Sequence, residues 1–266
     1  MTDADPRELE NIAIDLAREA GQLARERRSA GVSIAATKSA LADIVTEADR
    51  EVEALIRSRL RELRPTDGFL GEESDADPGS SGTTWVVDPI DGTVNYAYGI
   101  PFYAVSIAAV QGTSDPQTWT ALAGAVYVPS LDEMFHAAQG AGAWLGDRRL
   151  HVEAEVSAAG ALLATGFGYD PATHAGDLGR VARVMPIARD IRRMGAASID
   201  LCSVAAGRVD GYFERGLKPW DHAAAALIVT EAGGRFALLP ADDTGRVLVI
   251  AAVPGVFDRL LTLAQP

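Results

Sequence analysis

Apolar residues recur at helical spacing along Leu9, Ile12, Ala13, Leu16, Ala20 and Leu23, which marks one buried face of a long helix. Asp5-Pro6-Arg7-Glu8 before them has the form of a helix start: an N-cap carboxylate, a proline in the first turn and an acid that completes a capping box. The helix is expected to fray near Gly31. A second stripe, Val52, Leu55, Ile56, Leu60 and Leu63, predicts a helix that opens at Thr46, has Asp49 three residues on and ends before Pro65. Residues 32–45 between them read as loop or hairpin and carry Lys38 and Asp43.

Short apolar runs take over afterwards. Phe69-Leu70 and Trp85-Val86-Val87 read as strands on either side of an Asp-, Gly- and Ser-rich loop, residues 74–84. Further strands are expected at 103–111, 121–128 and 133–138, with a hairpin around Gly146-Asp147. The later half alternates: strand 161–165, helix 178–188, strand 190–194, helix 197–206, strand 209–213, helix 221–232, strand 247–252 and helix 256–263. Alternating strands and helices together with an antiparallel meander predict a layered α/β and α+β sandwich of helices and mixed sheets. No repeat or long linker divides the 266 residues. A boundary near 145 would separate an N-terminal half, 1–145, from a C-terminal half, 146–266, that share one core.

Composition narrows the function. No apolar run approaches the roughly 20 residues that span a bilayer, and the acidic N-terminus lacks the parts of a signal peptide. Cys202 is the single cysteine, so no intrachain disulfide forms and a cytoplasmic location is expected. Its apolar helical surroundings read as those of a buried thiol. A net charge of −13 argues against a sequence-independent grip on nucleic acid. The four histidines show no zinc spacing, and neither a GxSxG elbow nor a phosphate-cradling P-loop is present.

The chemistry concentrates at Asp88-Pro89-Ile90-Asp91-Gly92-Thr93. Pro89 cannot donate a backbone hydrogen bond and pushes Asp88 out of the helical region. The strand is therefore expected to stop at Asp88 and turn sharply, so that Asp88 and Asp91 converge. Gly92 lets backbone approach a ligand, and Thr93 can open a helix whose first N–H groups face an anion. Carboxylates suit a hard cation and the helix start suits a phosphate. Gly71-Glu72-Glu73 follows a strand end, and Trp220-Asp221 precedes an alanine-rich helix. Taken singly, these acids, Asp49, Glu214 and Lys38 also fit ordinary surface or capping roles.

Together the motifs resemble the inositol monophosphatase family, within the lithium-sensitive, magnesium-dependent phosphatases. The resemblance rests on Gly71-Glu72-Glu73, on residues 85–95, on Gly195-Ala196-Ala197-Ser198, and on Trp220-Asp221-His222 running into Glu231-Ala232-Gly233-Gly234. It extends from about Thr37 to Gly234 and implies a fold like that of inositol monophosphatases and fructose-1,6-bisphosphatases. It also implies two to three magnesium ions per site. Glu72, Asp88 and the Ile90 carbonyl would hold one, and Asp88, Asp91 and Asp221 a second. Asp49, Thr93 and Glu72 would position the attacking water, while Gly92 and Thr93 would bind phosphate. Ala197 and Glu214 would contact the leaving group, and Lys38 falls where the family has its lysine. Most metal ligands would then lie in the N-terminal half, with Asp221 and the substrate contacts in the C-terminal half.

The implied reaction is hydrolysis of myo-inositol monophosphate, or a similar small polyol phosphate, by direct attack of a metal-activated water. Lithium inhibition, a homodimer, and no membrane or direct nucleic-acid partner are implied too. Lys218 stands where many members have histidine, and residues 166–170 belong to a variable region beside the family's pocket. Histidinol-phosphate, fructose-1,6-bisphosphate, 3′-phosphoadenosine-nucleotide and NADP phosphatases share these motifs and are the enzymatic alternatives. A regulatory binding protein on the same fold is the alternative of another class.

Overall fold

The computed structural model describes residues 4–31, 34–37, 44–112 and 115–265. Helix α1 (Pro6–Ala30) is followed by the antiparallel pair β1 (Ile34–Thr37) and β2 (Ile44–Thr46), then by α2 (Glu47–Leu63). Next come β3 (Gly68–Gly71), β4 (Thr83–Asp91), the short α3 (Thr93–Ala97), β5 (Ala104–Gln111), β6 (Thr120–Val128), β7 (Glu133–Ala138), β8 (Ala143–Leu145) and β9 (Arg148–Arg149). The remainder is β10 (Ala161–Thr165), α4 (His174–Val184), β11 (Ala188–Arg192), α5 (Ala197–Ala205), β12 (Gly211–Arg215), α6 (Pro219–Glu231), β13 (Arg235–Leu239), β14 (Leu248–Ala252) and α7 (Pro254–Ala264).

Strands β3 to β9 form a seven-stranded sheet in chain order, antiparallel except for the β3–β4 pair. A five-stranded mixed sheet has the order β11-β10-β12-β14-β13. The layers follow from which faces are apolar. On β5, Val105, Ile107 and Ala109 join the core shared with α1 and α2, whereas Ala104, Ala108 and Val110 join the core shared with α5, α6 and the second sheet. With side chains alternating across a pleated strand, both faces of the first sheet are covered. Helices α5 and α6 lie between the sheets, and α7 packs on the outer face of β12 and β14 with α4 beside it. Helices and mixed sheets thus alternate in five layers. Gly124 of β6 admits α6 closely, because a Cβ there would lie 2.9 Å from the Ala224 Cα.

The structure departs from the sequence reading in three places. The helix expected at 178–188 begins earlier, at His174, and gives way at Met185 to a single tighter turn around Pro186, which has no N–H to continue the ladder. Strand β13 was not expected; it is a half-buried edge strand with no clean alternation. The third concerns β4. It does not stop at Asp88 but continues to Asp91 through a bulge: Asp88 pairs with Ser106 and Asp91 with Ala104, so three steps on β4 oppose two on β5. Pro89 interrupts the ladder, Pro89 and Ile90 have no register partner on β5, and pairing resumes at Asp91.

Candidate active site

That bulge decides where the two carboxylates point. In a regular strand residues three apart face opposite sides. The extra residue restores parity, so Asp88 and Asp91 share the face of Ser106 and Ala104, toward α5 and α6, while Ile90 joins the core on the other side. Asp88 is 1% and Asp91 8% exposed. The Asp88 carboxylate accepts the Ile90 N–H at 3.1 Å, which holds the kink. Gly92 follows in the left-handed region (φ 88°), and a Cβ there would lie 2.8 Å from the Phe102 carbonyl, so glycine is required twice over.

Three helix starts hold acids of the site. Asp49 is the N3 residue of α2, and its Oδ2 accepts the Thr46 N–H at 2.8 Å and the Thr46 hydroxyl. Its other oxygen lies 3.2 Å from the Thr93 hydroxyl, which also reaches the Ile90 carbonyl at 3.1 Å. At the start of α5 the Ala197 and Ser198 N–H groups donate to Asp91 at 3.2 and 2.7 Å, joined by the Ser198 hydroxyl. At the start of α6 Asp221 accepts the Lys218 N–H at 2.6 Å. The capping role suggested by sequence is therefore real. The same carboxylates are also gathered into one site, where the helix dipoles favour their negative charge.

A cavity of about 710 Å³ contains Glu72, Asp88, Ile90, Asp91, Gly92, Thr93, Ala197, Glu214 and Asp221 in its lining. Asp49 stands behind Thr93. Lys38 and Asp43 lie outside the described residues. Glu72 ends the turn after β3, which is pinned from beneath: the buried Glu53 accepts the Glu73 N–H at 2.8 Å, and Gly71 leaves room for that carboxylate. Glu214 is half-buried and faces the cavity instead of marking a plain exit to solvent. Burial pushes its carboxyl up to about 7, against the Tyr212 hydroxyl donated to it and the charge of Arg193. Tyr169, within the segment 166–170 expected beside the pocket, lines the cavity although it is 43% exposed; loss of solvent around its hydroxyl and then the charges of Asp91, Asp221 and Glu214 disfavour its phenolate.

Electrostatically the floor is strained. Burial raises Asp88 well above the usual carboxylate range, and Glu72, Asp91 and Asp221 raise it further. Asp221 is raised in the same way by burial and Asp91, and Asp91 by burial against the bonds from Ser198, Ala197 and Gly92. Such a set of hard oxygen donors suits a divalent cation. Among the described residues no three of these side chains are already drawn to coordination distance of a common point. Asp91 and Asp221 instead turn oxygens to the N–H groups of α5 and α6. Of the remaining candidates, His222 is 2% exposed, packs on Phe236 and is pulled down to about 4 by burial. His136 bonds Glu10 of α1 at 2.8 Å, away from the acids. Cys202 is fully buried, and burial raises its thiol.

Alternating helix and sheet layers with an acidic cavity at their helix starts define a phosphatase of the inositol monophosphatase fold. The sequence matches the model of the inositol monophosphatase family over residues 5–257, and the chain belongs to that family. It is 43% identical to a Mycobacterium bovis protein named inositol-1-monophosphatase, over 99% of this chain and 95% of that one. A Pasteurella multocida protein named Nus factor SuhB is 38% identical over 96% and 95% of the two chains. The crystal structure of extragenic suppressor protein suhB from Bartonella henselae superposes with a TM-score of 0.84 at 35% identity, covering 96% and 97%. No helix among the described residues is long and apolar enough to cross a membrane.

Proposed function

We propose that this chain is a magnesium-dependent phosphomonoesterase that hydrolyses myo-inositol monophosphate or a similar small polyol phosphate by direct attack of water. The observation that carries the reading is the convergence of Glu72, Asp88, Asp91 and Asp221 on one cavity beside the Gly92-Thr93 helix start. Glu72, Asp88 and the Ile90 carbonyl would hold one magnesium ion, and Asp88, Asp91 and Asp221 a second. Bound there, the ions would neutralise the phosphate and lower the pKa of the attacking water.

The chain's own residues do the rest. The Thr93 hydroxyl, with Asp49 behind it, accepts the water's proton while passing its own toward the Asp49 carboxylate. Burial raises Asp49 above its ordinary value, which suits it to take that proton. Gly92 and the first turn of α3 present backbone N–H groups to the phosphate. Glu214 and the Ala197 backbone face the leaving group, where a carboxylate held near 7 can bind its hydroxyls.

The test is release of inorganic phosphate from a panel of phosphate monoesters, with magnesium and with chelator, for the natural chain and Asp91→Asn. Magnesium-dependent turnover with the highest kcat/KM on a polyol monophosphate supports the reading. Preference for a nucleotide or for histidinol phosphate would replace it. Lithium at tens of millimolar (about that order for a weakly held small cation) is expected to inhibit. Similarity to a relative named Nus factor SuhB supports a second reading, a regulatory role on the same fold. A cellular phenotype that survives Asp91→Asn would favour it.

A further inference from the structure

The cavity does not end at the acids. Its far side is lined by Arg180, Arg215 and Arg246 with Asp177 and Asp242. Glu214 and Arg215 are neighbours on β12, so one strand serves both ends: Glu214 faces the acids, and Arg215 faces the loop between β13 and β14. Asp177 pairs with Arg180 at 3.1 Å and with Arg246 at 3.0 Å, and Arg215 pairs with Asp242 at 3.0 Å. Three guanidinium groups thus meet two carboxylates, and one positive charge is left over.

That excess is buried. Arg180 and Arg215 are each 7% exposed, and the Arg215 Nε has no hydrogen-bond partner among the described residues. Burial and the charge of Arg215 both lower Arg180 from the ordinary guanidinium value. The backbone makes room for Arg246 in particular: a Cβ on Gly216 would lie 2.7 Å from its Nε, and one on Gly168 2.8 Å from its Nη2. In a chain of net charge −13, a buried cationic cluster inside the cavity attracts an anion. Guanidinium forks suit the planar or tetrahedral oxygens of carboxylate and phosphate.

We infer that the arginine end is a second anion-binding subsite, which takes a phosphate or carboxylate carried by the substrate in addition to the phosphate that is cleaved. As an account of substrate choice it rests on the hydrolytic reading of the acidic end; as an anion site it does not. Binding energy from the remote anion then contributes to kcat/KM.

Two experiments separate these levels. Calorimetric titration of the metal-free protein with sodium sulfate, at constant ionic strength, reads the arginine end through its response to substitutions there, while the carboxylates of the acidic end disfavour a second anion. Saturable binding is expected, weakened about fivefold or more in Arg246→Gln and strengthened in Asp242→Asn, which frees Arg215. The second variant guards against a folding defect in the first. Absence of saturable binding, or affinity indifferent to both substitutions, overturns the subsite. With magnesium, kcat/KM for myo-inositol 1,4-bisphosphate is expected to exceed that for the 1-phosphate by about tenfold, and Arg246→Gln to shrink that ratio. Sulfate binding without any bisphosphate advantage overturns the substrate assignment. Failure of both substrates with sulfate binding intact counts against the hydrolytic reading and leaves the anion site standing.

Discussion

The two ends of one cavity manage buried charge in opposite ways. At the acidic end Asp88, Asp91 and Asp221 have no arginine or lysine ion pair among the described residues; backbone N–H groups at the starts of α5 and α6 and at the β4 bulge hold them in place. At the other end arginines and aspartates compensate one another within the cluster. Buried ion pairs that satisfy each other are costly to break but need no ligand. Like charges held by backbone dipoles remain uncompensated, and a cation relieves them. The difference separates a floor prepared for chemistry from a wall that is mostly structural with one charge to spare.

The largest effect is expected from neutralising one acid of the floor. Asp91→Asn is expected to lower kcat by about a hundred- to a thousandfold, the scale reached when a preorganised electrostatic partner is lost. Circular dichroism would check that α5 stays docked. A loss below tenfold would remove Asp91 from the chemistry.

Next in size is the coupling of magnesium to stability. Asp88, Asp91 and Asp221 sit above their ordinary value of 3.8, so the folded metal-free chain holds protons that the unfolded chain releases. The stability they contribute is fully present below that value and is lost as pH rises through the folded values. Magnesium is therefore expected to raise the Tm more at pH 8 than at pH 5. Equal shifts would contradict the strained floor.

Glu214 narrows the same logic to one group. With a folded value of about 7 against an ordinary 4.5, its contribution is present below pH 4.5 and disappears through pH 7. Glu214→Gln should flatten the urea midpoint between those limits, by roughly 3 kcal/mol as an upper bound. It should also raise KM for a polyol phosphate. The smallest effect is expected of Thr46→Ala, which removes a cap from α2 at a cost of about 1 kcal/mol in chemical unfolding. Because the Thr46 hydroxyl also donates to Asp49, kcat should fall modestly with it.

Much of the acidic end was legible because its parts are local in sequence. The box at Thr46 and Asp49 and the start of the helix after Lys218, where Asp221 accepts a backbone N–H, both depend on spacings of three residues, which fix hydrogen bonds within a turn. The turn expected at Asp88 was instead a bulge. The missing proline N–H was correctly read, but whether the ladder resumes depends on β5, which lies beyond any local window. The arginine end was not legible at all. Arg180, Arg215 and Arg246 come from α4, β12 and the loop before β14, and each alone looks like a surface arginine.

By itself, the sequence determined most of the helices and strands, and it placed Asp49 and Asp221 at the starts of their helices. Periodicity and backbone capping act over a few residues, and the family's motifs share that local character. Only the tertiary structure decided that the bulge turns Asp88 and Asp91 to one face, and that α5 lends its N–H groups to Asp91 from a hundred residues away. It also decided that Glu214 turns half-buried into the cavity rather than out to solvent, and that an arginine cluster lines the cavity's far side. Those outcomes depend on register, burial and long-range charge, which exist only once the layers have packed.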